Sequence, residues 1–213
     1  MFFWVILFTS LPGTIMQTDM GDNIFTFPKQ SDNSYVHLIP NAHDPFKEAT
    51  VCLSVKYLLS LVTEYCLFSL ATRKNDNDFT LFFNKKNNVF TFSTNNKDNI
   101  FKLDSDPFQE WTSICASWSS SSGEVIVWIN EKRFFANNFQ KGHVIDPDPF
   151  IIIGQDQEKY GDSFDASQSF VGDIADVNMW DKVLTQEGIT DYINGNYIGG
   201  NVINWKALQY KVY

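Results

Sequence analysis

Basic residues are in the minority in this 213-residue chain. Its 16 Lys and Arg stand against 25 Asp and Glu, which gives a formal net charge of −9. Proteins that bind nucleic acid need a basic face to neutralise phosphates, so the composition argues against that class of function. The acidity is compatible with cation binding, although an acidic protein without any site would have the same composition.

Groups that catalyse hydrolysis are also few. The three histidines, His37, His43 and His143, are scattered along the chain, and no Gly-X-Ser-X-Gly elbow occurs. The paired carboxylates of a glycosidase lie roughly 5–10 Å apart, whereas Asp173 and Asp176 would face opposite sides of a regular strand. The sequence therefore predicts no enzymatic activity, with a glycan-active enzyme on a β-sandwich as the alternative.

Cysteines and glycosylation signals are scarce as well. The three cysteines, Cys52, Cys66 and Cys115, allow one disulfide and one leftover thiol. A leftover cysteine is more often a small buried apolar residue than a reactive thiol. No Asn-X-Ser/Thr sequon occurs, so we expect no N-linked glycan.

Long apolar runs are missing except at the N-terminus. Residues 1–16 are apolar and uncharged, and they are too few to span a bilayer, which takes about 20 residues. They predict a secretory signal peptide and hence a secreted, extracellular protein. Because no Lys or Arg marks the start, and Thr14 and Met16 suit a cleavage site poorly, a buried N-terminal strand is the alternative.

From residue 17 onward, short strand-like segments alternate with turn residues. Val51, Leu53 and Val55, for example, occupy alternate positions, as on a strand with one buried face. A single short helix is predicted near the C-terminus, with Thr185 as its cap. The pattern predicts one all-β domain over 17–213. The predicted strands are residues 25–27, 35–39, 49–57, 65–71, 79–83, 89–92, 111–118, 124–129, 151–154 and 169–180.

The loop that follows residue 154 is rich in oxygen-bearing side chains. Asp156, Gln157, Glu158, Asp165 and Gln168 offer hard oxygen ligands, which suit Ca²⁺ with its six to eight oxygens at about 2.3–2.6 Å. Zinc and copper prefer histidine nitrogen or cysteine sulfur. On spacing alone, a calcium site and a plain solvated surface loop both stay open.

A second polar turn, residues 72–78, carries Asp76 and Asn77. By itself it has the composition of an ordinary turn. It is not an EF-hand loop, because no glycine follows at the required place and no helices flank it. It becomes part of a metal site only if the fold brings it next to the acidic loop.

Three runs within and after the acidic loop form an ordered pattern. GQDQE (154–158), FDASQSFVGDI (164–174) and DVNMWD (176–181) resemble the calcium loop and the following strand of the pentraxin family. The start QTDM at 17–20 resembles the family's mature N-terminus. The signature His-X-Cys-X-Ser/Thr-Trp-X-Ser/Thr is matched at Cys115, Ser117, Trp118 and Ser120, with Ser113 in place of the histidine. The resemblance covers nearly all of 17–213.

The resemblance implies a flattened two-sheet β-sandwich of jelly-roll topology, similar to concanavalin and laminin-G domains, with two Ca²⁺ ions on one face and the helix on the other. It implies that Cys52 and Cys115 form a disulfide across the sandwich, which leaves Cys66 unpaired. Pentraxins also continue into another C-terminal strand where this chain stops at Tyr213, so an unpaired edge is expected.

The resemblance also implies the calcium ligands. Asp156 and Glu158 would touch both ions. Pentraxins have Glu then Asp at these two positions, and because Ca²⁺ tolerates varied ligand reach, we expect weakened rather than abolished binding. The first ion would add Asp76, Asn77 and the backbone carbonyl of Gln157, and the second would add Asp165 and Gln168.

The function implied by the resemblance is calcium-dependent, lectin-like pattern recognition in innate immunity and the acute phase. The ligands would be phosphocholine, phosphoethanolamine or other anionic groups, bound by a homopentamer that could engage complement or Fc receptors. In phosphocholine-binding pentraxins an apolar wall and a glutamate receive the choline; Phe82 fits the wall, unless it is a core aromatic. The glutamate position falls near Asn95 or Asn96, and Asp98 could substitute. A secreted relative with weakened or lost ligand binding is the alternative.

Overall fold

The computed structural model describes residues 17–41, 44–58 and 63–213. The predicted signal peptide (1–16) and His43 lie outside the described residues, so they stay predictions. The strands are β1 (Phe25–Phe27), β2 (Val36–Leu38), β3 (Glu48–Tyr57), β4 (Glu64–Ala71), β5 (Phe79–Asn84), β6 (Val89–Thr94), β7 (Lys97–Lys102), β8 (Thr112–Ser119), β9 (Glu124–Ile129), β10 (Lys132–Ala136), β11 (Phe150–Ile153), β12 (Gly172–Trp180) and β13 (Tyr210–Val212).

The strands form two antiparallel sheets. One sheet has the order β1-β12-β3-β8-β9-β10, and the other has the order β13-β2-β11-β4-β5-β6-β7. Leu53 on β3 and Trp118 on β8 belong to the same core as Phe68 on β4 and Phe92 on β6, and all four are 0% exposed. Since successive strand residues point to opposite faces, each sheet presents one apolar face to the other. The predicted all-β jelly-roll sandwich is confirmed.

The helix and the disulfide lie together. Helix α1 (Gln186–Ile193) begins after Thr185, whose side chain accepts a hydrogen bond from the Gly188 N–H, as predicted. It packs over the Cys52–Cys115 disulfide. The pairing is confirmed, but its predicted course across the sandwich is wrong: the two cysteines face each other on neighbouring strands of one sheet, 4.1 Å apart at Cα. Within the described residues, no helix is long and apolar enough to cross a membrane.

Three strands were missed by the sequence pattern, and each is the edge of a sheet. They are β7, β10 and β13. In β7, four of the six residues are exposed, because an edge strand contacts solvent on one side and carries polar residues there. The binary apolar pattern that predicted the central strands is therefore weak at these edges.

Candidate metal centre

The acidic loop folds back over the strand that precedes it. Gln157 Nε2 donates to Phe150 O at 3.0 Å and to Ser69 O at 3.1 Å, and Gln157 Oε1 accepts from Gly161 N at 2.8 Å. Gln157 is fully buried, so these bonds hold the loop against β4 and β11. Because the side-chain atoms are engaged there, the backbone carbonyl is the oxygen that Gln157 has to offer to a cation.

The turn between β4 and β5 carries the other two predicted ligands. Asn77 N donates to Asp76 Oδ1 at 3.1 Å and to Asn96 Oδ1 at 3.0 Å. Asn77 Oδ1 accepts from Thr80 Oγ1 at 2.9 Å. Both Asp76 and Asn77 are partly exposed, so the turn is ordered and still accessible from solvent.

The acidic loop and this turn meet at a cavity of about 380 Å³. The β5 and β6 residues that line the cavity alternate along each strand with residues that lie in the core. The cavity therefore lies on the outer face of the seven-stranded sheet. Five of the residues predicted for this site line it: Asn77, Phe82, Asp156, Glu158 and Gln168. The two halves of the predicted site, distant in sequence, therefore share one cavity.

Asp156 is a buried carboxyl within this acidic environment. It is 5% exposed. Burial first, then the charges of Glu158 and Asp76, raise its pKa from 3.8 to about 7. Each of these effects disfavours the anion. A bound cation would instead stabilise the anion and lower the pKa of Asp156, so the environment suits a positive ion.

The side chain of Gln168 adds a second indication of cation binding. Its Oε1 is buried and accepts no hydrogen bond, although buried polar atoms are nearly always paired. Among the described residues no three His, Cys, Asp or Glu side chains form a preformed metal cluster. The predicted calcium ligands, however, also include the amide oxygens of Asn77 and Gln168 and the backbone carbonyl of Gln157, which belong to none of these four side-chain types. The hard oxygen donors at this cavity fit calcium.

Asp165 is placed differently from the other predicted ligands. It is exposed and caps the 3-10 turn Ala166–Gln168, where its Oδ1 accepts from Ser167 N at 2.8 Å. That hydrogen bond lowers the pKa of Asp165. Neither Asp165 nor Asp76 is part of the cavity wall, although the charge of Asp76 acts on Asp156.

The structure also places residues at the cavity that sequence reasoning had not assigned to it. Cys66 Sγ lies 3.8 Å from Asp156 Oδ1, and Glu64 lines the cavity. Asp98, named from the sequence as a candidate substitute for the choline-binding glutamate, also lines the cavity, whereas Asn95 donates to Gln140 instead. These cavity residues occupy outward-facing positions of β4 to β7, and that alternation is visible in the sequence. Which of them lie next to one another, however, depends on the register between the strands.

A larger cavity, of about 840 Å³, lies elsewhere, beside helix α1. Its wall includes Trp111, Asp176, Tyr192 and Trp205, and it includes none of the residues predicted for the metal site. Asp176 lies at a bulge of β12 with φ of 54° rather than on a regular strand. The residues predicted for the metal site therefore line the smaller of these two cavities and not the larger one.

The chain matches the Pentaxin family model over residues 23–213. It is 42% identical to the C-reactive protein of Mus musculus over 97% of this chain and 91% of that protein. It is 36% identical to the serum amyloid P-component of Cavia porcellus over 100% of this chain and 93% of that protein. The solved structure of a native heptameric SAP-like pentraxin from Limulus polyphemus superimposes with a TM-score of 0.79 at 24% identity, covering 88% of this chain and 90% of that one. This chain therefore belongs to the Pentaxin, or pentraxin, family.

Proposed function

We propose that the protein is a secreted, calcium-dependent pattern-recognition protein that binds phosphorylated or anionic ligands without turning them over. The observation that carries the proposal is the carboxyl of Asp156, buried beside the acidic Glu158 at a cavity where Gln168 Oε1 has no partner. An acidic pocket of oxygen donors is poorly stabilised until a cation enters it.

Two calcium ions per subunit are proposed. Bound calcium would supply open coordination positions for the oxygens of a phosphate or carboxylate. Asp156 and Glu158 would hold both ions. Asp76, Asn77 and the carbonyl of Gln157 would complete the first set, and Asp165 and Gln168 the second. Asp165 is exposed and lies outside the cavity wall, so it would have to hold the ion from the solvent side, which makes the second ion the weaker one.

The cavity also supports a choice of ligand. Phe82 is half-buried and lines the cavity, while its neighbours Leu81 and Phe83 lie in the core. Asp98 lines the same cavity and accepts a hydrogen bond from Ser93 Oγ at 2.7 Å. An aromatic wall and a carboxylate beside a phosphate site suit phosphocholine, and phosphoethanolamine less well because it lacks the methyl groups.

A cyclic homopentamer is proposed for the assembly. Repeated weak sites on one face of a ring raise avidity by about 10²–10⁴ without new contacts. The Limulus relative is described as heptameric, so ring size is a separate question from ring formation. On this proposal the protein acts in innate immunity and the acute phase, and the face that carries helix α1 engages complement or Fc receptors.

Bead capture tests the function. Beads coated with phosphocholine, phosphoethanolamine or uncharged linker are mixed with the protein in calcium and in EDTA. We expect capture by both phosphorylated surfaces in calcium only, with phosphocholine favoured. Capture that persists in EDTA would contradict the calcium mechanism. No capture on any surface would favour the alternative, a pentraxin that has lost ligand binding through the Asp156 and Glu158 exchange.

A further inference from the structure

Asp78 is a buried carboxyl group that directly follows the turn of Asp76 and Asn77. Its side chain is 1% exposed. Its oxygens accept from Thr72 Oγ1 at 2.9 Å and from Asn95 N at 3.2 Å. Asn75 Nδ2 donates to it at 3.3 Å. A carboxyl group at this depth is stable only with several donors around it.

His143 supplies the shortest of these contacts. Its Nε2 lies 2.6 Å from Asp78 Oδ1, and its side chain is 13% exposed. The centroid of its ring lies 5.8 Å from that of the buried Trp118, so the imidazole lies beside the core. Asp78 therefore ties the ligand turn to a segment 65 residues further along the chain.

The hairpin between β6 and β7 also contacts the turn of Asp76 and Asn77, through two hydrogen bonds. Asn96 N donates to Asn77 O at 3.1 Å, and Asn77 N donates to Asn96 Oδ1 at 3.0 Å. Asn95 and Asn96 have φ of 52° and 54°, the conformation of a two-residue hairpin turn that asparagine tolerates. The hydrogen bonds with Asn96 thus hold Asn77 against the hairpin. The hairpin is in turn held by the hydrogen bond that Asn95 N donates to the Asp78 carboxyl group.

We propose that Asp78 and His143 are positioning residues that fix the turn of Asp76 and Asn77 in place for cation binding. The inference rests on the proposed calcium site and goes beyond it, because neither residue lines the cavity. A loop ordered before the ion arrives loses less conformational entropy on binding, which raises affinity. Loss of the hydrogen bonds to Asp78 would leave the ligand side chains of Asp76 and Asn77 in the protein but would no longer hold them in one position.

Trypsin can report on the turn directly, because Arg73 and Lys74 are exposed within it. His143→Phe keeps a ring beside Trp118 and removes the nitrogen donor, whereas His143→Gln keeps an N–H donor of similar reach. Asp146→Asn is the matched control, since Asp146 pairs at 2.7 Å with Lys74 of the same turn, whose side chain is 74% exposed. Such pairs contribute little.

Cleavage rates at these two bonds are measured in EDTA, and calcium affinity is measured by calorimetry. We expect His143→Phe to be cleaved about tenfold faster and to bind calcium about tenfold more weakly, because it loses a hydrogen bond to a buried carboxyl group. His143→Gln and Asp146→Asn should stay within about twofold of wild type. Wild-type behaviour in His143→Phe, or an equal loss in His143→Gln, would overturn the positioning role.

A second variant covers the case in which His143→Phe does not fold. Thr72→Val preserves side-chain shape and removes the Oγ1 donor on the opposite side of Asp78, with the same expected direction in both measurements. Calcium binding left unchanged in Thr72→Val would overturn the positioning role alone. A wild-type protein that binds no calcium would overturn the proposed function together with the role of Asp78 in cation binding.

Discussion

Cys66 and Asp156 lie 90 residues apart in sequence and meet within the candidate metal centre, with the thiol sulfur 3.8 Å from Oδ1 of the carboxyl group. Both residues are buried. Burial first, and then the charge of Asp156, raise the pKa of the Cys66 thiol well above its usual value. The thiol therefore stays protonated and is a weak hydrogen-bond donor to a proposed calcium ligand.

We expect Cys66 to resist thiol reagents in the folded protein. The thiolate is the reacting species, and its formation is suppressed by burial and by the acidic neighbours. Iodoacetamide labelling at pH 8, followed by peptide mass spectrometry, should be about 100-fold slower in the native protein than in urea, since labelling requires local opening. Labelling at the same rate in both conditions would contradict the buried position of Cys66.

The stability of the calcium-free protein is expected to fall as the pH rises. The pKa of Asp156 is about 7 in the folded protein against an ordinary 3.8. Well below pH 3.8, the group is protonated in both the folded and the unfolded chain and contributes nothing. As the pH rises towards 7, the unfolded chain loses its proton first. The free energy of unfolding therefore decreases through that window and is lowest above it.

Asp156→Asn removes this titration at nearly constant side-chain size. In EDTA at pH 8, we expect the variant to be more stable than wild type by up to about 4 kcal/mol, and at pH 4 the two should be nearly equal. Urea unfolding at both pH values measures the difference. Calcium at 1,000 times its Kd should offset this difference, because only wild type gains binding free energy, about 4.1 kcal/mol for one ion. A variant less stable than wild type in EDTA at pH 8 would contradict the assignment.

Phe82 is expected to contribute to ligand binding and not to calcium binding. Its ring lines the cavity but offers no oxygen, so Phe82→Ala should weaken phosphocholine capture about tenfold or more by the loss of apolar contact. Calcium affinity should not change. Phe83→Leu is the matched control, since Phe83 is 1% exposed in the core and its replacement should lower stability while capture persists. Undiminished capture by Phe82→Ala would remove Phe82 from the ligand site.

The disulfide is expected to act on stability and not on the site. Cys52 and Cys115 are separated by 63 positions, and opening a loop of that length costs about 4 kcal/mol in the chain-entropy model. The double variant Cys52→Ala/Cys115→Ala should unfold at a correspondingly lower urea concentration. Cys66→Ala is the control variant, because it keeps the disulfide bridge. A loss below about 1 kcal/mol would contradict the expected size of the effect.

Local patterns were enough to predict the central strands and the helix. The alternation of Val51, Leu53 and Val55 predicted β3, and Thr185 predicted the start of α1, because both depend on neighbours within a few residues. The edge strands have little apolar alternation. The course of the disulfide was missed because it depends on the register of β3 against β8, which pairs Cys52 with Cys115 directly.

The candidate site was predictable by residue type but not by arrangement. The composition of the loop left a calcium site and a solvated surface loop both open, and the family resemblance assigned Asp156, Glu158 and Asn77 to one site; the structure places all three at the same cavity. The contact of Cys66 with Asp156, 90 residues away, arises from long-range packing, whereas the capping bond of Asp165 is a local contact with Ser167. No spacing along the chain encodes contacts between residues brought together by several strand pairings.

Calorimetric titration of calcium into wild type and Asp156→Ala tests the central claim most directly. Asp156 is proposed to touch both ions, so its loss should abolish saturable calcium heat and calcium-dependent capture, while circular dichroism shows the same β-sheet fold. Wild type should bind two ions per subunit, the second more weakly. Absence of calcium heat in wild type, or the same titration in wild type and Asp156→Ala, would contradict the proposed metal centre.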